Sequence, residues 1–259
     1  MPNLPQEAEP VGQCRAVSTP GLSAVLWDMD GTLVDSEKIW DVSLAELARH
    51  LGGELSAPTR IAMVGSSMWR TLDMMFDEVG LEHRPEAMRE AADWLSARTA
   101  ELFHAGLPWR PGALETLRMV RSTGLATALV TSTERALVEQ ALDSIGREFF
   151  DLTVCGDEVP ATKPAPDPYL IAAEKLGVPP EHCLAIEDSP TGAASASAAG
   201  CAVLVVPNDV AVPEAAGRIQ RETLAGLTES DLHELWASAT AGNHWSPQSV
   251  RSAVPSRDQ

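Results

Sequence analysis

The chain has 259 residues, enough for one large domain or two smaller ones, and its 37 acidic and 19 basic side chains give a formal net charge of −18. So acidic a chain is a poor match for nucleic acid or an anionic membrane surface, because phosphate groups are bound by an excess of Lys and Arg. No apolar stretch approaches the roughly 20 residues of a membrane span, and the four cysteines form no CxxC pair. We therefore expect a cytoplasmic protein with reduced thiols, no membrane contact and no nucleic acid partner.

The first stretch with a clear structural signature is Ala24–Trp27, a short apolar run that predicts a buried strand of a parallel sheet. The preceding segment, 1–20, has neither the basic start nor the apolar core of a signal peptide and is predicted to be a flexible tail. Two carboxylates, Asp28 and Asp30, follow the strand directly, and Gly31 after them can take a sharp turn.

An all-helical insert is predicted after this strand. Apolar residues recur at helical spacing in three segments, and no strand-like alternation interrupts them. The predicted helices are Glu37–Gly52, Ser67–Val79 and Pro85–His104. We expect residues 35–109 to form a small helical domain, joined to the rest through the Pro- and Gly-rich linker 106–112.

The remainder of the chain alternates between strands and helices. This pattern predicts a doubly wound parallel sheet built from 21–34 and 110–237, followed by a polar, Ser-rich, disordered tail at 238–259. The predicted strands are Ala126–Val130, Leu152–Cys155, Cys183–Ile186 and Ala202–Val206. The predicted helices are Ala113–Arg121, Glu134–Ile145, Tyr169–Leu176, Thr191–Ala199 and a closing helix around Leu232–Trp236.

Polar residues follow several of these strands, at the edge of an open α/β sheet where ligands bind. Asp28 and Asp30 offer a carboxylate nucleophile and a carboxylate acid/base. Converging carboxylates repel each other unless a cation or a shared proton intervenes, and a hard divalent cation such as Mg2+ prefers oxygen ligands. A polar turn is the alternative explanation for the same residues.

The later strand ends add groups that suit a phosphoryl substrate. Thr131 and Ser132 stand near a helix start, a favourable place for phosphoryl oxygens. Lys163 could neutralise the phosphoryl group as it becomes pentacovalent, and the adjacent acids Glu187 and Asp188 suit a cation. Taken singly, Thr131 could simply end its strand and Lys163 could be a solvated surface lysine. The combination at one sheet edge favours the chemical interpretation.

At this point the sequence resembles the haloacid dehalogenase-like superfamily, in its phosphatase and phosphomutase branch. The resemblance extends over roughly 23–207 and includes four motifs in order, which makes it highly specific. The matching stretches are Asp28-Met-Asp30-Gly31-Thr32, Thr131, Lys163-Pro164 and Glu187-Asp188, together with Val34-Asp35-Ser36-Glu37, Lys163-Pro-Ala-Pro-Asp167 and Ile186-Glu-Asp-Ser-Pro-Thr-Gly192.

The resemblance implies a Rossmann-like core with a helical cap inserted after the first strand. It implies that Asp28 is the nucleophile and Asp30 the acid/base. It implies a Mg2+ ion held by the Asp28 side chain, the Asp30 backbone carbonyl and Asp188, with Glu187 in support. The phosphate would be bound by Thr131, Ser132 and Lys163.

Within the family, the carboxylate at Asp30 favours transfer from an oxygen ester over dehalogenation or phosphonate cleavage. The sequence is also similar to β-phosphoglucomutases, which typically have a His where Trp40 stands and an Arg just after a Gly-x-Ser stretch of the cap. Here the corresponding stretch, Gly65-Ser66-Ser67, is followed by Met68, and the nearest arginine, Arg70, comes two residues later. We therefore expect a phosphatase acting on a small phosphorylated metabolite such as a sugar phosphate.

Two alternatives stay open: a phosphomutase or other phosphotransferase, which needs the same core, and a non-catalytic binding protein. The predicted substrate-selecting surface of the cap consists of Gly65, Ser66, Ser67, Trp69 and Arg70. We expect a monomer or a weak dimer.

Overall fold

The structure is a computed structural model that describes residues 21–208 and 210–241. It contains a six-stranded sheet of strands β1 (Ala24–Trp27), β2 (Ala126–Val130), β3 (Leu152–Val154), β4 (Cys183–Glu187), β5 (Ala202–Val205) and β6 (Arg218–Gln220). The strands lie in the order β3-β2-β1-β4-β5-β6, and each pairing is parallel. Strand order therefore reverses direction at β1, whose carboxyl end is the place where an open sheet of this kind forms a crevice.

Helices lie before, between and after these strands. They are α1 (Glu37–His50), α2 (Ala57–Met63), α3 (Met68–Val79), α4 (Pro85–Phe103), α5 (Ala113–Thr123), α6 (Arg135–Ile145), α7 (Asp167–Leu176), α8 (Pro190–Ala199) and α9 (Glu229–Ala241). The predicted α/β fold, a Rossmann-like sheet with an inserted helical segment between β1 and α5, is confirmed.

The sheet is covered on both faces, and its central strand β1 is apolar at every position, not only at alternate ones. Val25 and Trp27 of β1 belong to one buried cluster, which includes side chains of α5, α6 and α9. Ala24 and Leu26 belong to a second cluster, which includes side chains of α7 and α8. Successive side chains of a strand point to opposite faces, so a continuous apolar run gives a strand buried on both sides.

The four inserted helices have a hydrophobic core of their own. Leu44 and Leu47 of α1 pack there with Leu72 and Phe76 of α3 and with Leu95 of α4. The apolar stripe of each helix supplies this cluster, as expected for a surface helix that buries one face. The predicted limits of this cap, 35–109, stay a prediction.

The two chain segments that connect the cap to the core run side by side. Val34 forms an antiparallel bridge with Trp109, the amide of Asp35 donates to Pro108 at 2.8 Å, and the amide of Arg110 donates to Leu33 at 2.9 Å. The cap is therefore connected through a paired two-stranded stem.

Three differences from the sequence prediction have physical reasons. Helix α2 was missed because it has only seven residues, too few to show a period, although Ser56 caps it by accepting from the amide of Thr59. Strand β6 was missed because it is a three-residue polar strand at the sheet edge. Helix α9 continues to Ala241, into the segment predicted as a disordered tail, because Ala239 is buried against the core. The predicted tail 1–20 and the rest of the C-terminal tail lie outside the described residues.

Across the described residues, none of the helices has the length and apolar character required to cross a membrane.

Phe76 offers a test of the cap's core. Its side chain is fully buried in the cap cluster, so Phe76→Ala should leave a cavity and lower the free energy of unfolding by about 3–5 kcal/mol. The control is Ile61→Ala in α2, where the side chain is 57% exposed and the change should stay within about 0.5 kcal/mol. Urea unfolding followed by circular dichroism measures both, and equal losses in the two variants would contradict this core.

Candidate active site

A buried ammonium group joins the ends of three core strands. Lys163 Nζ donates to Asp28 Oδ1 at 2.7 Å, to Glu187 Oε1 at 2.7 Å and to the carbonyl oxygen of Val130 at 2.9 Å. Asp28 follows β1, Val130 ends β2 and Glu187 ends β4, so the ammonium is held where these parallel strands finish. Lys163 is only 2% exposed, which excludes the solvated surface lysine that the sequence left open.

Burial shifts the pKa values of this group in a consistent way. Burial by itself lowers the pKa of Lys163, but Asp28 and Glu187 outweigh it and hold that pKa above its ordinary value. Burial raises the pKa of Asp28 to about 7; Lys163 opposes the rise and Glu187 adds to it. The pKa of Asp188 is well above its ordinary value, chiefly through burial and then through Asp28 and Glu187.

The carboxylates of Asp28, Glu187 and Asp188 form a compact acidic cluster. They are all buried, and one ligand atom from each lies within 4.8 Å of the others. Asp28 Oδ2 is buried and accepts no hydrogen bond within 21–208 and 210–241. Three carboxylates with a single ammonium and an unpartnered oxygen fit a bound cation, and an all-oxygen set fits a hard divalent one.

Glycine is required beside this cluster. A Cβ atom on Gly31 would lie 2.0 Å from Asp188 Oδ2, and the residue has a φ of +85°. Any side chain at this position would displace the Asp188 carboxylate and strain the backbone. Gly31, which the sequence predicts as a turn residue, therefore also leaves room for the Asp188 carboxylate because it has no side chain.

Asp30 is held at both of its oxygens. Oδ1 accepts from Ser36 Oγ at 2.6 Å and from the indole Nε1 of Trp40 at 3.0 Å. Oδ2 accepts from Thr133 Oγ1 at 2.7 Å and from Thr131 Oγ1 at 3.3 Å. Ser36 directly precedes α1 and Trp40 belongs to it, whereas Thr131 and Thr133 follow β2. The cap and the core together therefore hold this carboxylate in place.

Thr131 and Ser132 lie where the sequence predicts, directly after β2 and before α6. Both line the cavity that also contains Asp28, Asp30 and Lys163. Ser132 Oγ donates to the carbonyl oxygen of Gly65 at 3.2 Å, which brings the cap loop into contact with the core. The cap is thus closed over the cavity.

Two of the five cap residues predicted to select the substrate line the cavity: Gly65 and Ser66. Ser67, Trp69 and Arg70 are not among the lining residues, and the Trp69 side chain is 49% exposed. The reason is helical geometry, because α3 begins at Met68 and directs successive side chains to different sides.

Sequence reasoning missed several cap residues that line the cavity. One of them is Trp40, which packs edge-on against Phe103 with ring centroids 6.4 Å apart and also donates a hydrogen bond to Asp30. The other missed residues are Glu37, Leu44, Arg60, Met63, Val64, Met68 and Thr71. Glu37 was visible as part of the motif that begins at Val34, although the motif alone gave it no role.

Glu37 and Arg60 form an ion pair at the cap side of this cavity. Arg60 Nη2 donates to Glu37 Oε2 at 2.5 Å, and Arg60 Nε donates to Asp41 Oδ1. Burial raises the pKa of Glu37 above its ordinary value, and Arg60 opposes that rise. The cavity therefore has one ion-paired cation at the core side, Lys163, and another at the cap side, Arg60.

Comparison with known proteins adds relatives that match most of this chain. Hexitol phosphatase B of Escherichia coli strain K12 is 31% identical over 231 residues, which is 87% of this chain and 100% of the relative. Fructose-1-phosphate phosphatase YqaB of the same strain is 31% identical over 181 residues, which is 69% of this chain and 93% of the relative. The crystal structure of a β-phosphoglucomutase from Clostridium difficile superimposes with a TM-score of 0.75 over 85% of this chain and 99% of that one, at 19% identity, which is a likeness of fold.

A family model described as haloacid dehalogenase-like hydrolase matches residues 22–200. That stretch contains the sheet edge with Asp28, Lys163 and Asp188 and the whole inserted cap. The chain belongs to the haloacid dehalogenase-like hydrolase family.

Proposed function

We propose that this chain is a Mg2+-dependent phosphatase that hydrolyses monoesters of small phosphorylated sugars or polyols through an aspartyl-phosphate on Asp28. The observation that carries the proposal is the buried Asp28 carboxylate, which is held by Lys163 inside a closed cavity that also contains Asp30. The printed activities of the relatives, a hexitol phosphatase and a fructose-1-phosphate phosphatase, support the substrate class.

In the first step a carboxylate oxygen of Asp28 attacks phosphorus and the bond from phosphorus to the ester oxygen breaks. Asp30 gives its proton to the departing alkoxide. Lys163, with the hydroxyl of Thr131 and the backbone amide of Ser132, stabilises the charge that develops on the phosphoryl oxygens.

In the second step water attacks the phosphorus of the aspartyl-phosphate and gives its proton to Asp30. The bond to Asp28 breaks, phosphate is released and both carboxyl groups return to their starting states. The closed cap limits the reaction to water admitted to the cavity, which also strengthens the electrostatic contacts inside it.

The cation would be held by the side chains of Asp28 and Asp188, with the backbone carbonyl of Asp30. It would supply positive charge to the phosphoryl oxygens. Glu187 is less available as a direct ligand, because its Oε1 already accepts from Lys163 and Tyr169. Its proposed contribution is to position Lys163.

Asp28→Asn should abolish turnover, since an amide is not a nucleophile toward phosphorus. Phosphate release would be measured across a panel of phosphorylated metabolites, with and without Mg2+. The matched control is Asp73→Asn on the exposed surface of α3, which should keep normal turnover. Full activity in folded Asp28→Asn would overturn the mechanism. A phosphoryl group trapped on wild-type Asp28 without phosphate release would instead favour transfer to a hydroxyl acceptor.

Asp188→Asn should separate metal binding from folding. Without Mg2+ we expect this variant to be at least as stable as the wild type, because one of three mutually repelling carboxylates is removed. Mg2+ should raise the melting temperature of the wild type by mass action and raise that of the variant far less. Thermal unfolding with and without Mg2+ measures this, and an equal Mg2+-induced rise in both proteins would exclude Asp188 as a ligand.

Trp40→Phe should test how the acid/base is positioned. The substitution keeps an aromatic ring but removes the N–H that donates to Asp30 Oδ1. We expect kcat to fall about tenfold, a loss of about 1.4 kcal/mol of transition-state stabilisation that is the size of one hydrogen bond, while KM changes by less than about twofold. Steady-state kinetics measures both, with Trp94→Phe, a cap tryptophan outside the cavity lining, as control. A rise in KM at constant kcat would assign Trp40 to substrate binding instead.

A further inference from the structure

The Glu37–Arg60 pair faces the same cavity as the catalytic carboxylates, from the cap side. Glu37 lies in the first turn of α1 and Arg60 in α2, and both line the cavity with Asp28, Asp30 and Lys163. Both side chains are largely buried, with exposed fractions of 6% and 17%. A buried ion pair costs desolvation free energy, and this one joins the 14-residue helix α1 to the seven-residue helix α2 at the lining of the cavity. The position of the pair on the cavity lining indicates a role in substrate binding.

The pair has hydrogen-bonding capacity left over. Arg60 uses Nη2 for Glu37 and Nε for Asp41. Within the described part of the chain, Arg60 Nη1 donates no hydrogen bond and Glu37 Oε1 accepts none. One free donor group beside one free acceptor is the set that a substrate hydroxyl needs, because a hydroxyl both donates and accepts.

The charge around the cavity argues against a second phosphate group at this end. Among the described residues that line it, the Lys and Arg side chains are Lys163 and Arg60. Each of them already bonds two carboxylates. A second phosphate at the cap side would meet Glu37, and Glu134 lies on the same lining, without a free cation to compensate its charge.

We propose that Glu37 and Arg60 form a hydroxyl-binding site that selects phosphate monoesters of neutral polyhydroxylated chains and rejects bisphosphates. This deepens the proposed function and rests on it, since the reacting phosphate must lie at Asp28 for the far end of the substrate to reach the pair. The indole ring of Trp40, which also lines the cavity, supplies an apolar face beside the carbon chain.

The test compares sorbitol 6-phosphate with fructose 1,6-bisphosphate as substrates of the full chain loaded with Mg2+. The quantity measured is the ratio of kcat/KM for the bisphosphate to kcat/KM for the monophosphate. Glu37→Gln keeps the shape and removes one negative charge, so Arg60 becomes available to a second phosphate. We expect the ratio to rise about tenfold. Arg60→Gln should raise KM for the monophosphate and should not raise the ratio.

The matched control is Glu46→Gln. Glu46 pairs with Arg98 at 2.6 Å on the cap and does not line the cavity, so the ratio should stay at the wild-type value. If Glu37→Gln fails to fold, Asp41→Asn removes the other carboxylate from Arg60 at a half-exposed position and must raise the ratio in the same direction.

An unchanged ratio in folded Glu37→Gln, or an equal rise in Arg60→Gln, would overturn the proposal while leaving the phosphatase assignment intact. Release of no phosphate by the wild type from these two substrates or from any other member of the metabolite panel would overturn both proposals. A rise confined to Glu37→Gln and Asp41→Asn would support it.

Discussion

The site depends on one buried interaction, the ammonium of Lys163 between the carboxylates of Asp28 and Glu187. A charge removed from water is tolerated only when it is paired and hydrogen-bonded, and removing one partner leaves an uncompensated charge that costs about 3–5 kcal/mol. Here the partners follow β1 and end β4, and the third acceptor is the carbonyl of Val130 at the end of β2. The interaction therefore ties the centre of the sheet together and, at the same atoms, prepares the carboxylate that we propose as the nucleophile.

This arrangement leaves a surplus of negative charge, because Asp188 joins the cluster without an ammonium of its own. Burial is the main cause of the raised pKa values of Asp28 and Asp188, and the neighbouring carboxylates add to both shifts. A bound cation would relieve the repulsion and favour the ionised form of Asp28, which the proposed nucleophilic attack requires. The carboxylates that repel one another in the folded chain are therefore the same groups that would bind the ion, so metal binding would add to the stability of the fold.

The sequence predicted that the polar strand ends converge at one edge of the sheet, because this convergence follows from topology. Parallel strands end at one edge of the sheet, so polar residues that directly follow apolar runs, such as Asp28 and Thr131, must converge there. It also predicted most strand and helix limits to within two residues, since long periodic segments are the easiest to recognise. It did not predict the contacts between Trp40 and Asp30 or between Glu37 and Arg60. These depend on the packing angle of α1 and on the seven-residue helix α2, which shows no period of its own.

The residues that topology could not predict belong to the cap, which lines one side of the cavity. In the proposed function, residues at the strand ends of the core carry out the phosphoryl transfer, whereas the cap residues that line the cavity select the rest of the substrate. Asp30 connects the two parts, because Ser36 and Trp40 hold one of its oxygens and Thr131 and Thr133 hold the other. A substrate that displaces α1 would therefore also disturb Asp30, the proposed acid/base. Under the proposed mechanism, the hydrogen bonds from Ser36 and Trp40 connect the position of the cap to the position of the acid/base. A phosphate ester that fits the cap poorly would therefore react more slowly as well as bind more weakly.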